Sequence, residues 1–200
     1  MYCRQCGTEI RPNAAFCARC GTPVARPGET AKKEAPAPHD RMSAEDMIRL
    51  ANQYGDAGDY RQQLFILRDA QAKYPDVPGI YNLMGIAHRN LGDREEAIDC
   101  YRKAAELDPN NGTFLANTGV ALLSAGKAEE ALPWFEKGLP LMKRSNNASY
   151  PVSLGNYALA LAESGYAENA VRCLKEAAQL GYANAETVRR RLEELGIYYH

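Results

Sequence analysis

The stretch Tyr81-Asn-Leu-Met-Gly85-Ile-Ala-His88-Arg-Asn-Leu-Gly92 decides the fold, because its pattern returns along the chain. Gly85-Ile-Ala-His88 aligns with Ala51-Asn-Gln-Tyr54, Gly119-Val-Ala-Leu122 and Ala158-Leu-Ala-Leu161. Four residues after each block stands a glycine: Gly58, Gly92, Gly126 and Gly165. Beyond the last three come Ala97-Ile-Asp-Cys-Tyr101, Ala131-Leu-Pro-Trp-Phe135 and Ala170-Val-Arg-Cys-Leu174. The first three glycines are 34 residues apart and the last interval is 39, an insertion of five. Helical spacing inside a 34-residue period predicts helical hairpins in tandem. The small residues let two helices approach, the large ones wedge between hairpins, and the glycine turns the corner.

Outside this array the composition changes twice. Pro23, Pro27, Pro36 and Pro38 sit among Ala, Lys, Glu and Gly with almost no large apolar residue, which predicts an extended linker over 24–42. Before it, four of the six cysteines fall within the first 20 residues, as Cys3-x2-Cys6 and Cys17-x2-Cys20. Two residues between thiolates let a tight turn aim both sulfurs at one ion, and Gly7 and Gly21 follow each pair where such a turn wants a positive φ. Two disulfides would suit an exported chain, and a redox pair would open a helix in a βαβ unit. A rubredoxin-like iron site has similar knuckles, usually farther apart. Four tetrahedral-compatible thiolates with none spare favour one structural zinc ion, held by Cys3, Cys6, Cys17 and Cys20. So small a module needs the metal's binding energy to fold.

The first segment resembles the short zinc ribbons at the N-termini of many bacterial proteins, over residues 1–23, which implies a small β-hairpin ribbon. The array resembles tetratricopeptide repeats, with units at about 44–77, 78–111, 112–145 and 151–184. Unit two lies nearest the family pattern, with Tyr81, Met84-Gly85, His88, Gly92, Ala97, Tyr101, Ala104 and Pro109. Unit one departs at Gln63, where the family places Ala; unit three has Gly138 and Lys143 for the usual Ala and Pro; unit four closes on Tyr182. Val188, Leu192 and Leu195 share one helical face and predict a capping helix at about 185–195. The expected fold is therefore mainly α: a solenoid of four helical hairpins plus a capping helix over 43–200, behind an N-terminal ribbon.

The 200-residue chain is 46% hydrophobic and 24% charged, with a formal net charge of −1. That balance excludes a wholly disordered chain and argues against bulk electrostatic binding to nucleic acid or acidic membranes. No apolar run approaches the roughly 18 residues that span a bilayer. The first residues, Met1-Tyr-Cys-Arg-Gln-Cys-Gly7, lack the apolar stretch of a secretory leader, so a cytoplasmic protein is expected. No motif places a nucleophile beside its base, a phosphate-binding glycine loop or paired carboxylates, and the expectation is a protein without enzymatic activity. Cys100 and Cys173 occupy one packing position in units two and four and read as small hydrophobes. Arg189-Arg190-Arg191 reads as a solvated face.

The family resemblance implies a concave groove lined by the first helix of each hairpin. Its candidate peptide-binding residues are Arg49, Asn52, Asn82, Arg89, Asn117 and Asn156, with Ile86, Thr113, Val120, Leu159 and Glu163 beside them. The family's carboxylate clamp, which grips the C-terminal tails of heat-shock chaperones, begins with a Lys where this chain has Ile48, and is not matched. Asparagine amides donate and accept together, so a row of them suits the backbone of an extended peptide. The expected partner is a protein or extended peptide. The alternative, a nucleic-acid- or ribosome-associated factor, would rest on Arg4, Arg11 and Arg19 of the ribbon, without interleaved aromatics.

Overall fold

The computed structural model describes residue 9 and residues 42–198. The chain divides into two units, Met1–Ser43 and Ala44–His200. The ribbon cysteines and the linker lie outside the described residues. The second unit holds nine helices among the described residues: α1 (Ala44–Asp56), α2 (Tyr60–Lys73), α3 (Pro78–Leu91), α4 (Arg94–Leu107), α5 (Gly112–Ser124), α6 (Ala128–Arg144), α7 (Tyr150–Glu163), α8 (Ala167–Gln179) and α9 (Ala185–Glu194). They pair as four antiparallel hairpins in chain order with α9 behind them, the expected α-solenoid.

The corners turn where the sequence period placed them. Gly58, Gly92, Gly126 and Gly165 all lie in the left-handed region, at φ of 77°, 88°, 75° and 83°. A side chain is strained there, which explains a glycine at each corner. Asp59 and Asn111 cap α2 and α5, accepting from the backbone N–H of Gln62 and Thr113 at 3.1 Å each.

Within the second and third hairpins a ring of the second helix covers a glycine of the first. A Cβ on Gly85 would stand 2.7 Å from the Tyr101 ring, and one on Gly119 would stand 2.9 Å from Phe135. Unit four differs: Leu174 is its buried large residue, and Tyr182 covers Gly155 one turn earlier. Tyr182, at the closing position where the family has Pro, is thus a core residue.

Helix α6 contains Pro133 and Pro140 and continues through both. Seven residues apart, both rings face solvent, as do Glu129 and Glu136, whose carbonyls lose their partners. Water replaces those bonds on an exposed face. Lys143 stands where the other units' pattern calls for a closing proline, and α6 accordingly runs to Arg144. Asn146, at φ 51°, then ends it within the five-residue insertion.

Candidate functional site

The odd-numbered helices form the inner wall of the solenoid. Helix α1 touches α3, α5 touches α7 and α7 touches α9, whereas the even-numbered helices make no comparable approach to one another. A curved stack brings its inner helices together and splays the outer ones, so the concave face belongs to α1, α3, α5, α7 and α9.

The two faces are cross-linked by different chemistry. On the outer face, Lys127 meets Glu95 at 3.1 Å, Arg102 meets Glu130 at 3.4 Å, and Lys143 meets Glu176 at 2.8 Å. All three pairs join successive repeats and are solvent-exposed, so each contributes little to stability. On the inner face neutral groups join the middle repeats, and one ion pair joins α9 to α7. Asn117 Nδ2 donates to Asn82 Oδ1 at 2.9 Å, and Asn147 Nδ2 donates to the Thr113 hydroxyl at 3.0 Å. Helices α3, α5 and α7 carry one carboxylate between them, Glu163.

The candidate groove residues therefore divide. Asn82 and Asn117, half-buried on α3 and α5, are brought into direct contact. Asn82 keeps its amide N–H groups and Asn117 its carbonyl oxygen for a ligand. Asn156 is half-buried on α7, one repeat further on, and Asn52 and Arg89 are exposed on α1 and α3. Arg49 is exposed on α1 and ion-paired with Asp46 one turn before it. Thr113 is committed to the bond from Asn147 and is part of the repeat junction.

The arginine run does more than solvate a helix. Arg191 bridges to Glu163 on α7 at 3.6 Å, and Arg190 and Arg191 line an open cavity of about 390 Å³ with Leu159, a groove candidate. A short basic run with acids beside it on one helix reads from sequence alone as a solvated face. The register of α9 against α7, set by buried Val188 and Leu192, turns the run toward the groove.

His88 is buried, with Nδ1 3.1 Å from Asp93 Oδ2, and caps its own hairpin corner. Cys100 and Cys173 are half-buried free thiols. Burial pushes the Cys100 thiol up to about 11, and burial raises Cys173 as well, which leaves both as neutral packing groups. Among the described residues no cluster of three or more His, Cys, Asp or Glu could hold a metal ion, and no helix is long and apolar enough to cross a membrane.

Family profiles agree with this architecture. Tetratricopeptide-repeat profiles match residues 78–111 and 100–132, and a zinc-ribbon profile matches residues 2–24. The chain is a tetratricopeptide-repeat protein with an N-terminal zinc-ribbon domain. Among curated proteins it is similar to small glutamine-rich tetratricopeptide repeat-containing protein 2 of Mycosarcoma maydis, 28% identical over 104 residues. That match covers 52% of this chain and 30% of the relative, so the chain spans under a third of that protein's length. Among solved structures, PilW, a widely conserved type IV pilus biogenesis factor, superposes with a TM-score of 0.68 at 21% identity, covering 76% of this chain and 69% of PilW. YrrB, described as a tetratricopeptide-repeat protein with an unusual peptide-binding site, gives 0.62 at 18% identity, covering 76% and 82%. Both likenesses concern the fold. The repeat family makes this protein an interaction scaffold.

Proposed function

We propose that the protein binds an extended peptide segment of another protein in the concave groove, and performs no chemistry on it. The observation that carries this reading is the inner wall itself. It offers the amides of Asn82, Asn117 and Asn156 on three successive inner helices that together carry a single carboxylate, Glu163. A peptide backbone exposes one donor and one acceptor per residue, and amide side chains can meet both. Arg49, Asn52 and Arg89 extend the same surface toward the first repeat. That a fold neighbour, YrrB, is described by its peptide-binding site supports the reading.

The ribbon would be a second, metal-built module over residues 1–23, tethered by 24–42. Four thiolates and no further ligand fit a closed tetrahedral zinc site, which holds a fold together and leaves no open position for substrate. Elemental analysis of chain prepared without chelator should find one zinc ion per molecule. The Cys3→Ser/Cys6→Ser double variant should retain none, and full iron occupancy would overturn the assignment.

The groove is tested by removing amides. A peptide selected from a random phage library against the full chain should lose affinity when Asn117 and Asn156 are both changed to Ala. A neutral hydrogen bond contributes about 0.5–1.5 kcal/mol, so the pair should weaken binding roughly 5- to 150-fold. Lys137→Ala on the outer face is the control and should leave affinity unchanged, with far-UV circular dichroism checking the fold. Unaltered affinity in the double variant would move the binding surface out of the groove.

A further inference from the structure

We infer that α7 and α9 together form an anchoring pocket for an acidic side chain that neighbours an apolar residue in the bound segment, with Arg190 reading the charge. This rests on the groove reading above and names the chemistry of its occupant.

The register comes first. Leu115 and Gly119 of α5, Leu154 and Ala158 of α7, and Val188 and Leu192 of α9 are successive buried pairs at the same spacing. Aligned on them, Arg190 takes the place that Asn117 and Asn156 hold on the preceding inner helices. Helix α9 is therefore the inner helix of a fifth, unfinished hairpin as well as a cap. Its face continues the groove.

The charges come next. Four carboxylates surround this end of the groove, and each has a cationic neighbour. Arg191 engages Glu194 at 2.9 Å and Glu163 at 3.6 Å. Arg189 engages Glu186 at 2.7 Å and Glu193 at 3.9 Å. Arg190 is exposed and has no partner among the described residues. It stands at an open cavity of about 390 Å³ with Leu159 and Val188 among its walls, beside Thr187, Arg191 and Glu194. A guanidinium with no ion pair among the described residues, above aliphatic side chains in a lining of two arginines and one glutamate, selects a carboxylate, which it can bind bidentately, carried next to an apolar group that fills the cavity. Arg191 is shared between Glu194 and Glu163, the sole carboxylate on α3, α5 and α7, and the cavity's own lining holds two arginines against one glutamate.

Phage selection on the full chain separates this pocket from the groove at large. Displayed peptides have no free C-terminal carboxylate, so only internal acidic side chains are sampled. Peptides selected by the wild type should be enriched in Asp or Glu adjacent to Leu, Ile, Val or Phe. For the best of them, Arg190→Glu and the peptide's own acid-to-amide change should each weaken binding about tenfold or more, without adding when combined. Arg190→Lys should recover part of the loss. Arg94→Glu on the outer face should do nothing. Selected peptides lacking the acidic enrichment, or an Arg190→Glu variant that binds them unchanged, would sink the pocket. If the Asn117→Ala/Asn156→Ala variant still loses affinity in that case, the groove reading survives without it. If neither variant loses affinity, both readings fall.

Discussion

Two hairpins of this solenoid depart from their neighbours in opposite directions. In the third, Gly112 of α5 faces Gly138 of α6, and the two backbones close on one another. A Cβ on Gly112 would stand 2.7 Å from the Gly138 carbonyl oxygen, and one on Gly138 would stand 2.9 Å from that of Gly112. In the first hairpin the second helix has grown instead. Gln63 stands where the later units have the fully buried Ala97, Ala131 and Ala170, and it fits because the first helix has shrunk to Gly55. The later units have Arg89, Leu123 and Ala162 at the position of Gly55. Close packing is met differently in each case: in the third hairpin both sides are small and the backbones approach, and in the first a smaller residue on one helix makes room for a larger one on the other. The spacing of the helices follows from which side gives way.

The comparison can be broken most severely where backbone meets backbone. Gly112→Ala places its methyl against the Gly138 carbonyl and the Met142 main chain, neither of which can rotate aside. Gly112 is the first residue of α5, so alanine gains little helix propensity there. The expected loss is about 3 kcal/mol, the upper end of ordinary overpacking, read from urea denaturation of the full chain. Tolerance within experimental error would mean that α5 and α6 are farther apart than described.

A ring yields more than a backbone, so Gly119→Ala should be milder. Its methyl would press on the buried Phe135 ring at 2.9 Å, and overpacking of about 2 kcal/mol is partly offset by about 1 kcal/mol of helix propensity. The net loss should be about 1 kcal/mol in the same titration. A loss as large as that of Gly112→Ala would show that the ring is as immovable as the main chain.

These contrasts mark where the sequence was legible. The hairpin corners were readable because a left-handed corner accepts little except glycine, and Gly58, Gly92, Gly126 and Gly165 recur on a period. The capping helix was readable from Val188, Leu192 and Leu195 on one helical face. Gln63, Gly138 and Tyr182 were visible as departures, but their partners Gly55, Gly112 and Gly155 lie on other helices, and no periodicity within one helix points across to them. Asn82, Asn117 and Asn156 could be assigned from the period to the first helices of three successive hairpins, α3, α5 and α7. That two of these amides would bond each other depended on the one-residue offset of Asn82 combined with the rotation between α3 and α5. The role of Arg190 and Arg191 was hidden for a related reason: a charged run reads as surface until the helix beside it is known.

The smallest effect, and the sharpest test of paired volume, concerns Gly55 and Gln63. A Cβ on Gly55 would stand 2.5 Å from the Gln63 amide nitrogen, the mobile end of a flexible side chain. Gly55→Ala alone should therefore change stability little, because about 1 kcal/mol of helix propensity is offset by displacing that amide. Gln63→Ala alone should also be near neutral. It loses about 1.6 kcal/mol from two buried methylenes, but it removes an Oε1 that is buried without a hydrogen-bond partner, a burden of about 1–3 kcal/mol. Combined, the two changes restore an alanine on the second helix as in the other units, and the propensity gain is no longer opposed. The double variant should be about 1 kcal/mol more stable than the wild type, with a favourable coupling of similar size in the double-mutant cycle. Strict additivity would mean that Gly55 is small for a reason unconnected with Gln63, and the pairing of volumes in the first hairpin would have to be abandoned.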